Sequence, residues 1–344
     1  MTVCLFTVIF FTACSQEVEY RRFQTQRIGY FDTLTIFIGY AQDEDEFAMY
    51  ADIFFDRFGE LHRLFDIFNA YEGVNNLYTV NANAGVMPVV VEPSIIDILL
   101  TAKEAYDMTQ GMTNVAMGSV LRIWHTHRQI GVVNPDYATI PPMADLLEAS
   151  MFTNIDDIMI DAENSTVFLL DANMSLDVGA IAKAYATGLA MQAVIDAGIP
   201  AALVSAGGDV VAHGQPLGRD TWNVGIQNPN VGPNSPNAID AIAFTDKTLT
   251  VSGGYERFFE VDDRHLGHII DPTTLMPSDR FQQVAVLHPN AWMSDALSTA
   301  LFVLPLEEGL EMALANDAEV LWIDTNGEWI ATPGYKRISA EFGE

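Results

Sequence analysis

The stretch from Leu249 to Thr299 constrains this chain more than any other. Leu249-Thr250-Val251 is strand-like and runs into Ser252-Gly253-Gly254, a turn whose missing side chains let backbone approach a ligand. His268-Ile269-Ile270-Asp271-Pro272 then sets an imidazole and a carboxylate at the two ends of a short apolar run closed by proline. After a further strand, Asp295 and Thr299 stand four apart on a helix, so both side-chain oxygens face one side. Oxygen donors of this kind suit a hard cation such as Mg²⁺ or Ca²⁺. Each piece alone is ordinary: a hairpin, surface polarity, a common helical pair. Their crowding into about fifty residues points to a site.

Charge narrows what that site can serve. The 344 residues carry a net charge of −30, which excludes a nucleic-acid partner, because phosphate backbones need clustered Lys and Arg. The lysines are only Lys103, Lys183, Lys247 and Lys336. A polyphosphate ligand would therefore need a metal ion and helix N-termini to neutralise it. At 49% hydrophobic the chain has ample material for a sizeable core, as one large domain or two. Its two cysteines, Cys4 and Cys14, leave no disulfide framework or cysteine metal site in the body of the protein.

In chain order, residues 1–14 resemble a signal segment: the apolar run from Val3 to Phe11 is too short to span a bilayer, and Phe11-Thr12-Ala13-Cys14 resembles a bacterial lipoprotein cleavage box. No Lys or Arg precedes that run; plain secretion and an ordinary buried strand are the alternatives. Residues 15–28 read as a polar tether, residues 29–332 as the working domain, and residues 333–344 as a tail. Phe31 to Ile38 alternates as a strand. Asp43 to Phe68 is an amphipathic helix with an acidic first turn and a core stripe of Phe47, Phe54, Phe58, Phe65 and Phe68. The Asn-rich segment after it reads as a loop, either a plain connection or a ligand rim. Helices follow over Pro93–Tyr106, over a short segment leading to Trp124, and over Pro142–Ser150, then a hairpin over residues 155–170. A strand ending at Asp177, then Gly179, then a helix carrying Lys183 in its first turns, aims backbone amides at whatever sits there. A lysine set against the helix dipole needs a partner, either Asp177 or a ligand. Gly207-Gly208-Asp209 reads as a hairpin turn, and two strands, Glu319–Asp324 and Trp329–Thr332, close the chain. There is no Walker-type loop and no GxGxxG.

Four stretches thus stand in fixed order: Ala105-Tyr106-Asp107-Met108-Thr109; Leu176 to Ala186; Ser205 to Gly214; and Ser252 to Thr274 with Ser294 to Leu304. Together they resemble the ApbE family of flavin transferases, over about residues 29–332. The resemblance implies an α+β fold with mixed or antiparallel sheets flanked by helices and a flavin cleft between lobes. It implies Mg²⁺-dependent cleavage of FAD, transfer of FMN to a Ser or Thr of another protein, and release of AMP. By motif, Asp295, Thr299 and the backbone oxygen of Ala180 would hold the metal. Thr33, Ala105, Tyr106, Asp107, Asp177, Lys183, Ser252, Gly253 and His268 would contact FAD. His268 would be the catalytic histidine, with Asp271 nearby. The implied partner is a separate flavoprotein with an Asp-Gly…Ser/Thr site, since this chain has no Asp-Gly pair; redox-complex subunits and extracytoplasmic electron-transfer proteins are the expected kinds. The implied location is extracytoplasmic, on a membrane through lipid at Cys14. The same site would also serve an FAD pyrophosphatase, and a flavin-binding lipoprotein without catalysis is the third reading. The sequence departs from the family pattern at Phe31-Asp32-Thr33, where Met-Gly-Thr is common, at Asn75-Asn76, where Ser-Glu is common, and at Ala184, where Gly is usual.

Overall fold

The computed structural model describes residues 19–230, 237–255 and 257–342. Its framework is one eight-stranded sheet whose strands lie side by side in chain order, each pair of neighbours antiparallel. The strands are β1 (Arg21–Tyr30), β2 (Thr33–Ala41), β3 (Ala202–Ala206), β4 (Asp209–His213), β5 (Thr248–Gly253), β6 (Phe281–His288), β7 (Glu319–Asp324) and β8 (Trp329–Ala331). Long insertions between them carry the helices: α1 (Glu44–Phe65), α2 (Pro93–Met108), α3 (Gly118–Val133), α4 (Ala182–Asp196) and α5 (Ala291–Val303).

The central strands carry apolar runs, Val284 to Leu287 on β6 among them, because both faces of the sheet are covered. Along β6, Val284 and Val286 pack with Leu297, Leu301 and Phe302 of α5. The residues between, Ala285 and Leu287, point the other way, onto Trp222, Ile226, Ile242 and Phe244 of a separate hairpin. Period-2 geometry thus divides one apolar run between two cores.

On α1, Asp43 caps the helix by accepting from the Glu46 amide at 2.9 Å, and Glu44, Asp45 and Glu46 complement the dipole. The helix stops at Phe65, short of the expected Phe68, because Asp66 turns extended. The Asp66 carboxylate accepts from the Phe68 and Asn69 amides, the Asn69 side chain and the Tyr71 hydroxyl. Phe68 is therefore outside the core stripe and 57% exposed.

The structure corrects several further expectations. From Arg21 the expected tether is strand β1, paired with β2 from Arg21↔Ala41 onward; residues 15–18, like the Cys14 segment, lie outside the described residues. The Asn-rich segment contains a short helix, Leu77–Ala82, capped by Asn76, which accepts from the Thr79 amide at 3.1 Å. Instead of ending near Trp124, α3 continues to Val133. No strand leads into Asp177; the backbone there forms an isolated bridge, Met117 to Ser175, and the Asp177 amide donates to the Val115 carbonyl at 2.8 Å. The expected C-terminal tail begins with a helix, Pro333–Ile338, whose Tyr335 is fully buried and donates to Asp240 at 3.0 Å. Phe31 and Asp32 form the two-residue turn between β1 and β2, both at positive φ (49° and 53°), a conformation that explains a glycine preference there.

Candidate active site

A cavity of about 770 Å³ lies where β2 begins, β3 and β4 meet and β5 ends, so one end of the sheet forms its floor. Thr33, Gly207, Gly208, Asp209 and Thr250 to Gly253 line that end. The start of α4 contributes Gly179, Ala180 and Lys183; α5 contributes Asp295 and Thr299; the segment after the 258–267 hairpin contributes His268. Asp177 completes this wall. Nine of the residues singled out from sequence are thereby brought together: Thr33, Asp177, Ala180, Lys183, Ser252, Gly253, His268, Asp295 and Thr299.

The floor depends on one close approach. Gly207 sits at φ +50° beneath Thr33, and a Cβ there would fall 2.1 Å from the Thr33 hydroxyl. The turn it makes presents the carbonyls of Ala206 and Gly207 to Lys183 Nζ, which donates to both. The same ammonium lies 3.1 Å from Asp209 Oδ2. Lys183 therefore finds its partner in Asp209, rather than in Asp177, whose carboxylate accepts from the Gly179 amide at 2.9 Å.

Two carboxylates face each other in this recess. Asp209 is 1% exposed and Asp295 is 6% exposed. Burial pushes both above the usual carboxylate range; the Asp209 charge pushes Asp295 higher still, while Lys183 pulls both down. Apart from the Lys183 ammonium, neither Asp209 oxygen has a hydrogen-bond partner. Asp295 Oδ2 accepts from the Ala184 amide at 3.4 Å. Thr299, one turn along α5, and Ala180 also line the cavity, so the donors these residues can offer are all oxygen. No group of three His, Cys, Asp or Glu residues able to hold a metal by themselves occurs among the described residues. The set fits an ion that keeps much of its shell for ligand oxygens and water, as Mg²⁺ does.

His268 stands on the other side. Its Nδ1 is sealed from solvent without a hydrogen-bond partner. Burial, then the charges of Arg257 and Arg128, lower its pKa to about 3, so the imidazole is neutral at physiological pH. Arg128 and His125 on α3, with Arg257, line the cavity here, and sequence reasoning missed all three. The signal for the α3 pair was weak: past Trp124 the helix loses its apolar period and leaves Ile130, Val132 and Val133 exposed.

Four expected site residues are not in the wall. Asp271 closes its own turn, accepting from the Thr273 amide at 2.8 Å and from the Thr273 hydroxyl. Its carboxylate fixes the chain just after His268 instead of facing the cavity. Ala105, Tyr106 and Asp107 lie at the end of α2, where the Ala105 carbonyl accepts the Thr109 hydroxyl at 2.7 Å. That hydroxyl accepts the Thr113 amide at 3.0 Å, and Thr113 does line the cavity, so the motif supports the wall from behind.

Comparison with known proteins places this arrangement. The family model described as the ApbE family matches residues 33–322. The FAD:protein FMN transferase of Treponema pallidum is 33% identical over 246 residues, covering 67% of this chain and 66% of that protein. The Klebsiella pneumoniae protein of the same name is 26% identical over 291 residues, covering 80% of this chain and 86% of that protein. Among solved structures, the ApbE protein of Thermotoga maritima superposes with a TM-score of 0.80 at 23% identity, over 92% of this chain and 99% of that one. The apo flavinyl transferase ApbE of Pseudomonas stutzeri does so with a TM-score of 0.76 at 19% identity, over 95% of this chain and 98% of that one. The family match takes in the cavity floor, the α4 start, His268 and the α5 pair alike, and this chain belongs to the ApbE family.

Proposed function

We propose that this chain is an FAD:protein FMN transferase, which moves FMN from FAD to a serine or threonine hydroxyl of another protein and releases AMP. The observation that carries the reading is one cavity holding a neutral imidazole on one side and, on the other, an oxygen-lined recess suited to a hard cation. The names of the relatives support the same chemistry.

Ala180, Asp295 and Thr299 would hold Mg²⁺, which would supply charge neutralisation and Lewis acidity at the pyrophosphate. Phosphoryl transfer then needs mainly alignment and charge neutralisation. His268 takes the proton of the acceptor hydroxyl as that oxygen bonds to the FMN phosphorus. The bond from this phosphorus to the bridging oxygen breaks, and AMP leaves with that oxygen. Burial is the larger cause that holds the His268 pKa down; bound pyrophosphate would offset only the smaller part due to Arg257 and Arg128. Lys183, pinned by Asp209 and two carbonyls, is a fixed cation at the α4 start. Thr33, Asp177, Ser252 and Gly253 shape the walls against which the dinucleotide lies. The partner in this reading is a separate flavoprotein, and the protein acts outside the cytoplasm, anchored to a membrane by lipid on Cys14.

The test mixes the chain from Ser15 onward with FAD, Mg²⁺ and a small acceptor domain, and follows acceptor mass. A metal-dependent FMN adduct with AMP released is expected, and it disappears in His268→Ala and Asp295→Ala. AMP and free FMN without an adduct would instead make water the acceptor and the protein a pyrophosphatase. Intact FAD would leave only a binding role.

A further inference from the structure

We propose that Arg128, oriented by His125 and sharing the cavity wall with Arg257, is a phosphate-binding residue that holds a phosphate ester of the ligand. The inference deepens the transferase reading and rests on it for the identity of the ligand.

Arginine can only donate, so the 2.9 Å contact between Arg128 Nη2 and His125 Nδ1 makes that nitrogen an acceptor and the His125 imidazole neutral. The contact fixes the guanidinium through one N–H and leaves its other donors for something else. Phe68, tilted against the His125 ring at 5.1 Å between centroids, holds the imidazole from behind. Among the described residues neither Arg128 nor Arg257 has a carboxylate within ion-pair distance, in a chain of net charge −30. Each guanidinium instead opposes the charge of the other, and Arg128 is half-buried. Asp177 is the carboxylate that acts on both, yet it lies beyond ion-pair distance of either, so two guanidinium groups lining one cavity keep donors for an anion. The third cation of the cavity, Lys183, is already committed to Asp209 and two carbonyls. A second, separate observation points to the same cavity: the His268 ring lies against the Arg257 backbone, yet its buried Nδ1 has no hydrogen-bond partner. A planar fork matched to phosphate oxygens is what an ammonium on a flexible stem does not supply.

The test measures binding of FMN, AMP, riboflavin and adenosine to the whole protein in EDTA, for the wild type, Arg128→Gln and Arg128→Lys. Each charged hydrogen bond lost weakens binding by about tenfold or more. Arg128→Gln is therefore expected to weaken at least one phosphate ester by that factor, to leave riboflavin and adenosine unchanged, and to keep the thermal midpoint. Arg128→Lys is expected to recover only part of the loss. Unchanged affinity for both phosphate esters would overturn the assignment, as would equal weakening of FMN and riboflavin, which would mark a packing role. The two proposals fail separately. A phosphate-selective loss in a protein that transfers no FMN removes the transferase reading and leaves the clamp. Wild-type phosphate affinity in an Arg128→Gln variant that still transfers FMN removes the clamp and leaves the transferase.

Discussion

Replacing Lys183 with methionine tests the electrostatics of the cavity floor directly. The ammonium is 22% exposed and its partner Asp209 only 1% exposed. Removing it leaves a buried carboxylate with neither ion pair nor hydrogen bond. Breaking one side of a buried pair costs about 3–5 kcal/mol, and the partial opening of Lys183 to the cavity places this case near the lower figure, about 3 kcal/mol. With a urea m-value of about 3 kcal/mol/M, the unfolding midpoint falls by about 1 M. Asp209→Asn removes the charge that makes the deletion costly, so the double variant should be more stable than the sum of the two singles by at least about 1.5 kcal/mol. The sign with pH is also set. Burial holds the folded-state pKa of Asp209 above its unfolded value, and Lys183 is what pulls it down. A carboxyl with a raised folded pKa favours folding when protonated and loses that contribution as pH rises through the folded value. The cost of Lys183→Met is therefore larger at pH 8 than at pH 5. Equilibrium urea denaturation followed by tryptophan fluorescence, with EDTA present, measures all four proteins. Additivity within about 0.5 kcal/mol, or a Lys183→Met cost that does not change with pH, would refute the reasoning.

Asp295→Asn removes one of two facing buried carboxylates, so the metal-free protein should melt higher at pH 7.5 while losing any thermal shift with Mg²⁺; differential scanning calorimetry with and without EDTA reads both. Gly207→Ala drives a Cβ onto the Thr33 hydroxyl at a positive φ, and denaturation should show a loss of about 1–3 kcal/mol. Asp240→Ala strips partners from the Tyr335 hydroxyl, the Ser339 hydroxyl (2.7 Å) and the Glu341 amide (3.2 Å). It should cost about 2–4 kcal/mol and open the C-terminal helix to limited proteolysis.

What was legible in the sequence was what local physics writes there. The phenylalanine period of α1, its acidic first turn, the Gly207-Gly208 turn and the four-residue spacing of Asp295 and Thr299 each follow from neighbours a few residues away. What was not legible depends on distant partners. Arg21 to Tyr30 is polar enough to read as a tether, and is a strand because β2 supplies its hydrogen bonds and Phe23 and Tyr30 pack on the α1 core. Asn76 looked like loop composition, yet its fully buried side chain donates to the carbonyls of Arg63 and Asn69 and caps the next helix. Asp271 looked like a site carboxylate because it stands next to His268 in sequence, but an Asp before Pro-Thr-Thr has amides and a hydroxyl within reach two residues on.

The cavity's charge shows the same division at a larger scale. An acidic chain binding a polyphosphate must concentrate its few cations, and composition alone states that requirement without locating them. The structure meets it from three separated segments: Lys183 on α4, Arg128 on α3 and Arg257 beside the 258–267 hairpin. They are placed unequally. Lys183 is in an ion pair with Asp209, whereas the arginines oppose each other and meet Asp177 only beyond ion-pair distance. The cavity is thus electrically uneven, with Lys183 tied to Asp209 at the α4 start and the two guanidinium groups outside any ion pair among the described residues. A pyrophosphate lying in it would meet unequal environments at its two phosphates. Such asymmetry is what a cleavage between two phosphates requires, since a uniform field would hold the ground state and transition state equally well.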